Sequence, residues 1–263
     1  FIEQPFIEQP RARASLPSEL TKPNATAPAI ELTAQAAAQW GIKNQAIVSI
    51  ESEHGYQFVN SIEELPGGSF RVVAFNFTKP ADWTEADFEL IGRIGTINHL
   101  EFQDLDLTDR VTNRLSTLPN LVTVRLRYDE SKPRNLEQLD RLPHLYDLTL
   151  GGAYVGDAEV EMLRGLKNVR SLTVSGTEVT DTALQYIGEM EQLTFLSLTF
   201  AKVNGSGIIH LQKLKNLWSL HLPYTLTNDA GLAAIGGLQN LTWLNRGFSK
   251  VGDRCIDSIV DLK

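Results

Sequence analysis

The chain has 263 residues, of which 42% are hydrophobic and 21% charged, ordinary proportions for a globular protein with a sizeable core. Its formal net charge of −8 argues against a broad phosphate-binding surface, so nucleic acid is set aside as a partner. No apolar run approaches the roughly 18 residues that span a bilayer, and a single cysteine, Cys255, allows no intramolecular disulfide.

Residues 1–29 contain Pro5, Pro10, Pro17, Pro23 and Pro28 and open with the pentapeptide Phe-Ile-Glu-Gln-Pro written twice. With few apolar anchors, this stretch reads as a flexible Pro-rich tether; the duplication itself has no evident physical reason. The first residue is Phe rather than Met, which gives the expectation of a processed or truncated chain from an exported or cell-envelope protein.

Residues 30–69 read as an N-terminal cap made of a helix and a hairpin. Ile30, Leu32, Ala36, Ala37 and Trp40 lie in an alanine-rich stretch that suits a short helix stopped by Gly41. Ala46 to Ile50 and Tyr56 to Asn60 then flank Glu53-His54-Gly55 as two strands flank a turn.

From residue 70 to residue 263 the chain repeats. Stepping by 24 from Ile97 gives Leu121, Leu145, Val169, Leu193, Leu217 and Leu241. Three positions later come Leu100, Val124, Leu148, Leu172, Leu196, Leu220 and Leu244, and two beyond those Phe102, Leu126, Leu150, Val174, Leu198 and Leu222, with Arg246 breaking the column. Further columns start at Thr112, Leu115 and Leu118 and end at Ile256, Ile259 and Leu262. Forty of these 42 positions are apolar, whereas a 42% composition gives about 18 by chance, so the period is real. A looser copy, Phe70, Val73 and Phe75, precedes the first unit at a spacing of 27, for about eight repeats in all.

Within each unit, Leu-x-x-Leu-x-Leu ends in the alternation of a half-buried strand, and the later apolar residues fall three apart, as on a short helix or 3-10 segment. One strand and one helical return per 24 residues make a coil, and stacked coils set the strands side by side in a parallel sheet. Asp109, Asp157, Asp181, Asp229 and Asp253 precede the helical triplets, where a carboxylate can accept the free amides of its own helix's first turn. An acidic metal-binding ladder with Asp104 and Asp106 is the rival reading, broken at Pro133 and Gly205.

Leu172-Thr-Val-Ser-Gly-Thr-Glu-Val-Thr-Asp181-Thr-Ala-Leu184 and Leu220-His-Leu-Pro-Tyr-Thr-Leu-Thr-Asn-Asp229-Ala-Gly-Leu232 resemble leucine-rich-repeat proteins, specifically a bacterial variety with a Thr-x-Val-Thr-Asp-x-x-Leu turn. The resemblance spans residues 70–263. It implies a right-handed β/α solenoid, an arc with a parallel concave sheet, generally used for protein recognition. The chain departs from the familiar repeat at the turn position usually held by asparagine, here Leu105, Asp129, Ala153, Thr177, Ala201, Thr225 and Ser249.

Catalytic constellations are scarce. His54, His99, His144, His210 and His221 show no His-x-x-x-His spacing, and there is no Gly-x-Ser-x-Gly elbow, phosphate loop or dinucleotide fingerprint. No cofactor and no metal are expected, and Cys255 and Ser206 read as structural residues.

The strand positions between the buried leucines face outward. Their middle is small and hydroxylated, while Phe195, His221 and Trp243 gather near the C-terminal end beside a strand-exit column of Phe200, Tyr224 and Phe248. Aromatic side chains concentrate binding energy at interfaces, so these six are the candidate contacts for a protein partner. Edge packing into the core is the competing reading for the exit column. Arg125 and Arg127, with Tyr128, form a second candidate spot, basic in character. The leading expectation is a non-catalytic module that binds a protein on its concave face. A structural protein self-associating through its C-terminal flank, and a hydrolase with a hidden pair of concave acids, are the alternatives.

Overall fold

In the computed structural model of the chain the described residues are 33–78, 85–103, 109–127, 135–176 and 178–247, with side chains from 86 and from 112 onward in the second and third of these stretches. The expected tether at 1–29, with Ile30 and Leu32, lies outside them, as do Asp104, Asp106, Tyr128, Phe248, Asp253, Cys255 and the C-terminal flank.

Helix α1 (Ala34–Lys43) opens the described chain, and Thr33 caps it by accepting the Ala36 amide on its hydroxyl at 3.2 Å. Gly41 is inside this helix and does not stop it. A Cβ there would come within 2.4 Å of the Phe75 ring, so glycine lets the helix lie directly on the sheet. The stop is at Asn44, whose amide bonds the carbonyls of Trp40 and Gly41. Strands β1 (Ala46–Ser52) and β2 (Gly55–Val59) follow as the expected antiparallel hairpin.

β1 also pairs antiparallel with β3 (Phe70–Phe77), which starts the parallel part of the sheet. The order runs β10-β9-β8-β7-β6-β5-β4-β3-β1-β2, with β4 His99–Gln103, β5 Thr123–Arg127, β6 Asp147–Gly151, β7 Ser171–Ser175, β8 Phe195–Thr199, β9 Ser219–His221 and β10 Trp243–Asn245. Leu148, Leu172, Leu196 and Leu220 stand directly opposite one another on successive strands and are fully buried. The result is a β/α solenoid: a single sheet on one side, short helical returns on the other, and continuous aliphatic ribs between them.

The first coil differs from its expected register. Phe75 pairs with Leu100 and Phe77 with Phe102, a step of 25 rather than 27. The pair that points into the core is thus Phe75 and Phe77, and Phe77 stacks on Phe102 at 5.2 Å between ring centroids. Phe70 instead sits at the start of the strand, half-buried.

The returns are α2 (Glu85–Arg93), α3 (Asp109–Leu115), a 3-10 turn at Leu136–Arg141, α4 (Asp157–Glu161), α5 (Ala183–Ile187), a 3-10 stretch at Ser206–Lys213, and α6 (Asp229–Leu232) running into a 3-10 turn. They are too short to be stable alone and rest on packing against the ribs, while cross-coil hydrogen bonds tie the strand entries together. The carbonyls of Asn98, Val122, Tyr146, Arg170, Thr194 and Trp218 each accept two amides from the following coil, such as Val122 and Thr123 on Asn98 at 2.8 and 3.0 Å.

In the aspartate column, Asp157 and Asp181 reach into the following coil instead of capping their own helices. Asp157 accepts the amide and hydroxyl of Thr180 in the next coil, at 2.7 and 2.6 Å. Asp181 accepts the amides of Asn204, Gly205 and Gly207 in the next coil, at 2.8, 3.0 and 2.7 Å. Caps within a coil fall to neighbours: the Glu159 carboxylate takes the Gly156 amide at 2.9 Å, and Asn228 takes that of Gly231 at 3.1 Å. The reason is pitch. The carboxylate at the head of one return points along the solenoid axis, where the next coil's turn presents several unsatisfied amides at once.

Candidate recognition surface

The sheet's outward residues form rows across the strands, and the register fixes which residues share a row. One runs Ala74, His99, Thr123, Asp147, Ser171, Phe195, Ser219, Trp243; the next runs Asn76, Glu101, Arg125, Thr149, Thr173, Ser197, His221, Asn245. Chemistry changes along these rows from charged to hydroxylated to aromatic.

At the charged end, Arg125 lies between two carboxylates, 4.0 Å from Glu101 and 3.6 Å from Asp147. Asp147 also accepts the Ser171 hydroxyl at 2.9 Å. The charge of half-buried Arg125 is therefore answered within the sheet, while Arg127 is exposed at the exit of β5. The same contacts keep Glu101 and Asp147 turned towards a guanidinium rather than towards each other. His99 is 4.0 Å from Glu101, but burial, reinforced by the Arg125 charge, lowers its pKa to about 4, so the ring is neutral near pH 7. Among the described residues no group of three metal-ligating side chains converges, and no helix is long and apolar enough to cross a membrane.

At the aromatic end, two pairs of rings form. Phe195 meets His221 diagonally across β8 and β9 at 4.9 Å, and the His221 ring is 3.0 Å from the Ser219 hydroxyl. Phe200 and Tyr224 stack at 4.7 Å with planes 17° apart. Both are exposed, so of the two readings of the exit column the outward one describes them. Both also have φ of +57°, a left-handed conformation that costs a residue with a large side chain, and it turns the rings out of the solenoid. Trp243 is 59% exposed at the start of β10, while Arg246 lies just beyond that strand and is exposed.

Against solved structures, the chain is similar to internalin C2 from Listeria monocytogenes, with a TM-score of 0.52 and 17% identity over 73% of this chain and 77% of that one. The fold is that of a leucine-rich-repeat protein. An internalin F from the same organism (TM-score 0.32, 16% identity, 67% and 69% of the two chains) also aligns, as does the plant peptide hormone receptor RGFR1 solved in complex with RGF2 (TM-score 0.42, 18% identity, 66% and 28%). No protein-family model and no curated protein sequence matches the chain.

One aromatic residue of the leucine-rich-repeat surface escaped the sequence reading. Trp218 is 48% exposed on the loop entering β9, and its carbonyl accepts the amides of Thr242 and Trp243, both at 2.9 Å. The only signal for it was its place one residue before the outward position of Ser219. With it, aromatic side chains stand at both rims of the C-terminal half of the sheet: Phe195, Trp218 and Trp243 at the strand entries, Phe200 and Tyr224 at the exits. A five-residue strand separates the rims by about 16 Å, and Ser197, Thr199 and His221 lie on the floor between them.

Proposed function

We propose that the chain is a non-catalytic recognition module that binds a protein partner on its concave face, with the C-terminal aromatic residues supplying most of the affinity. The observation that carries this reading is the set of large rings held out of the core there: exposed Trp243 and Trp218, and the exposed stack of Phe200 on Tyr224. Rigid aromatic side chains give a large contact area for little lost entropy, and a floor of small hydroxylated residues lets a partner approach the backbone. Arg127 adds a peripheral contact for an acidic group. The repeats belong, on this reading, to the bacterial variety with the Thr-x-Val-Thr-Asp-x-x-Leu turn. Residues 30–69 form the cap of the first coil, and 1–29 a tether.

The test is to replace Phe195 and Trp243 together by Ala and compare capture of partners with that by the wild type. Binding should fall by about tenfold or more, as for residues worth over 1 kcal/mol each, with little change in Tm. Unchanged capture removes the aromatic patch from the account.

A further inference from the structure

Among the described residues, strand β2 ends the sheet on the side away from the aromatic rims. A terminal strand offers a row of backbone amides and carbonyls to any passing chain, and proteins generally guard such an edge with charge, proline or a bulge. The sequence of β2, Gly-Tyr-Gln-Phe-Val, contains no charge and no proline, and its pairing with β1 runs without a slip. Phe58 is 75% exposed, more than any other large hydrophobic residue described, and Tyr56 is exposed as well. Val59, paired with Val48, is buried on the core side, so Tyr56 and Phe58 share the opposite, concave face.

We propose that β2 is a self-association edge, at which two copies of the chain pair antiparallel about a two-fold axis through Gln57. Such a contact uses the same patch on both copies and must be self-complementary. This register meets that requirement: Tyr56 falls opposite the second copy's Phe58 and Phe58 opposite its Tyr56, two aromatic cross-strand pairs on one face. Gly55 falls opposite Val59, and because β2 carries no charge, no like charges meet within the paired strands. The two sheets become one continuous sheet, with both concave faces on the same side. A contact this small makes a weak dimer that forms as concentration rises.

The test is sedimentation equilibrium of the full 263-residue chain from micromolar to millimolar concentration. The expected result is an average mass climbing towards twice that of the monomer. Tyr56→Lys with Phe58→Lys sets lysine against lysine twice across the axis and should hold the chain monomeric throughout. Tyr56→Lys with Phe58→Glu sets lysine against glutamate twice and should restore the dimer. A wild type that stays monomeric overturns the proposal, as does a double-lysine variant that still dimerises. A lysine-glutamate variant that stays monomeric overturns the register. Loss of partner capture by the concave aromatic patch is read separately and leaves this result unaffected.

Discussion

The Asp181 carboxylate accepts the amide of Gly207, twenty-six positions further along the chain, at 2.7 Å, and it takes those of Asn204 and Gly205 as well. One side chain thereby satisfies three amides in the turn of the following coil, including one in the first turn of its helical return. The approach is so close that a Cβ on Gly207 would lie 2.4 Å from the Asp181 carbonyl oxygen.

Removing this strap leaves three amides without their acceptor. Asp181→Ala should destabilise the chain by about 3 kcal/mol, since bonds to a charged group contribute roughly 1.5 to 3 kcal/mol each and the loss is only partly recovered by water. Amide exchange should quicken at Asn204, Gly205 and Gly207 before it does elsewhere. Gly207→Ala should cost about 2 to 3 kcal/mol by overpacking. Gly165→Ala, where nothing lies within 4 Å of the added methyl, should be within about 0.5 kcal/mol of neutral. Equal effects of the two glycine substitutions in urea unfolding would contradict the close contact.

A second set of straps runs along the solenoid before four of the strands, β5, β7, β9 and β10. The side-chain amides of Asn120, Asn168, Asn216 and Asn240 donate to the carbonyls of Gly95, Pro143, Glu191 and Lys215 in the coil before, at 2.6 to 3.3 Å. Asn168→Ala and Asn216→Ala should each cost about 1 kcal/mol. Because these bonds share no partners, the double variant should lose close to the sum. A loss much larger than the sum would mean that the ladder acts as one unit.

The stacked pair carries backbone strain as well as exposed surface. Phe200→Gly with Tyr224→Gly relieves two left-handed residues while removing one stack, so the opposing terms of about 1 kcal/mol each should nearly cancel. Tm should stay within about 4 °C of the wild type, whereas partner capture should fall. A large fall in Tm would show that the rings serve the core after all.

His99 makes stability depend on pH. Its pKa is about 4 in the folded chain, against 6.5 for the ordinary group, so between these values the unfolded chain holds a proton that the folded chain does not. The stability it confers is fully present above about pH 7 and is lost as pH falls towards 4, by about 2 to 3 kcal/mol. Measured by urea unfolding, wild type should lose about 2 kcal/mol more than His99→Gln between pH 7 and pH 5. Parallel losses in the two proteins would assign the acid sensitivity to other groups.

Most of the fold was legible because stacking writes the same residue types at a fixed interval. Leu148, Leu172, Leu196 and Leu220 announce their alignment by spacing alone, and the hairpin before them by its turn. Where the interval is not 24 the reading slipped: Phe77 was passed over because the first coil steps by 25. The asparagine ladder was hidden for a different reason. Its column is broken by His144 and Gln192, and it stands away from the turn position, where in one coil Thr225 is buried with its hydroxyl on the Leu222 carbonyl at 2.9 Å.

For the surface, sequence separates outward from inward positions, since alternation along a strand does so directly. It favoured the outward side for Phe195 and Trp243 but left Phe200 and Tyr224 open between the surface and the core edge. It named Arg125 as part of a basic spot but could not set beside it the carboxylates of Glu101 and Asp147, which are 24 and 22 residues away.

By itself, then, the sequence determined the stacked ribs and the two faces of the sheet, because burial of alternate and triply spaced apolar residues is a local, one-dimensional pattern. Only the tertiary structure decided which coil each aspartate and asparagine ties down, which charges cancel, and which rings stay in solvent. Those outcomes depend on the pitch and register between coils, distances of a few ångströms that no periodicity in residue type encodes.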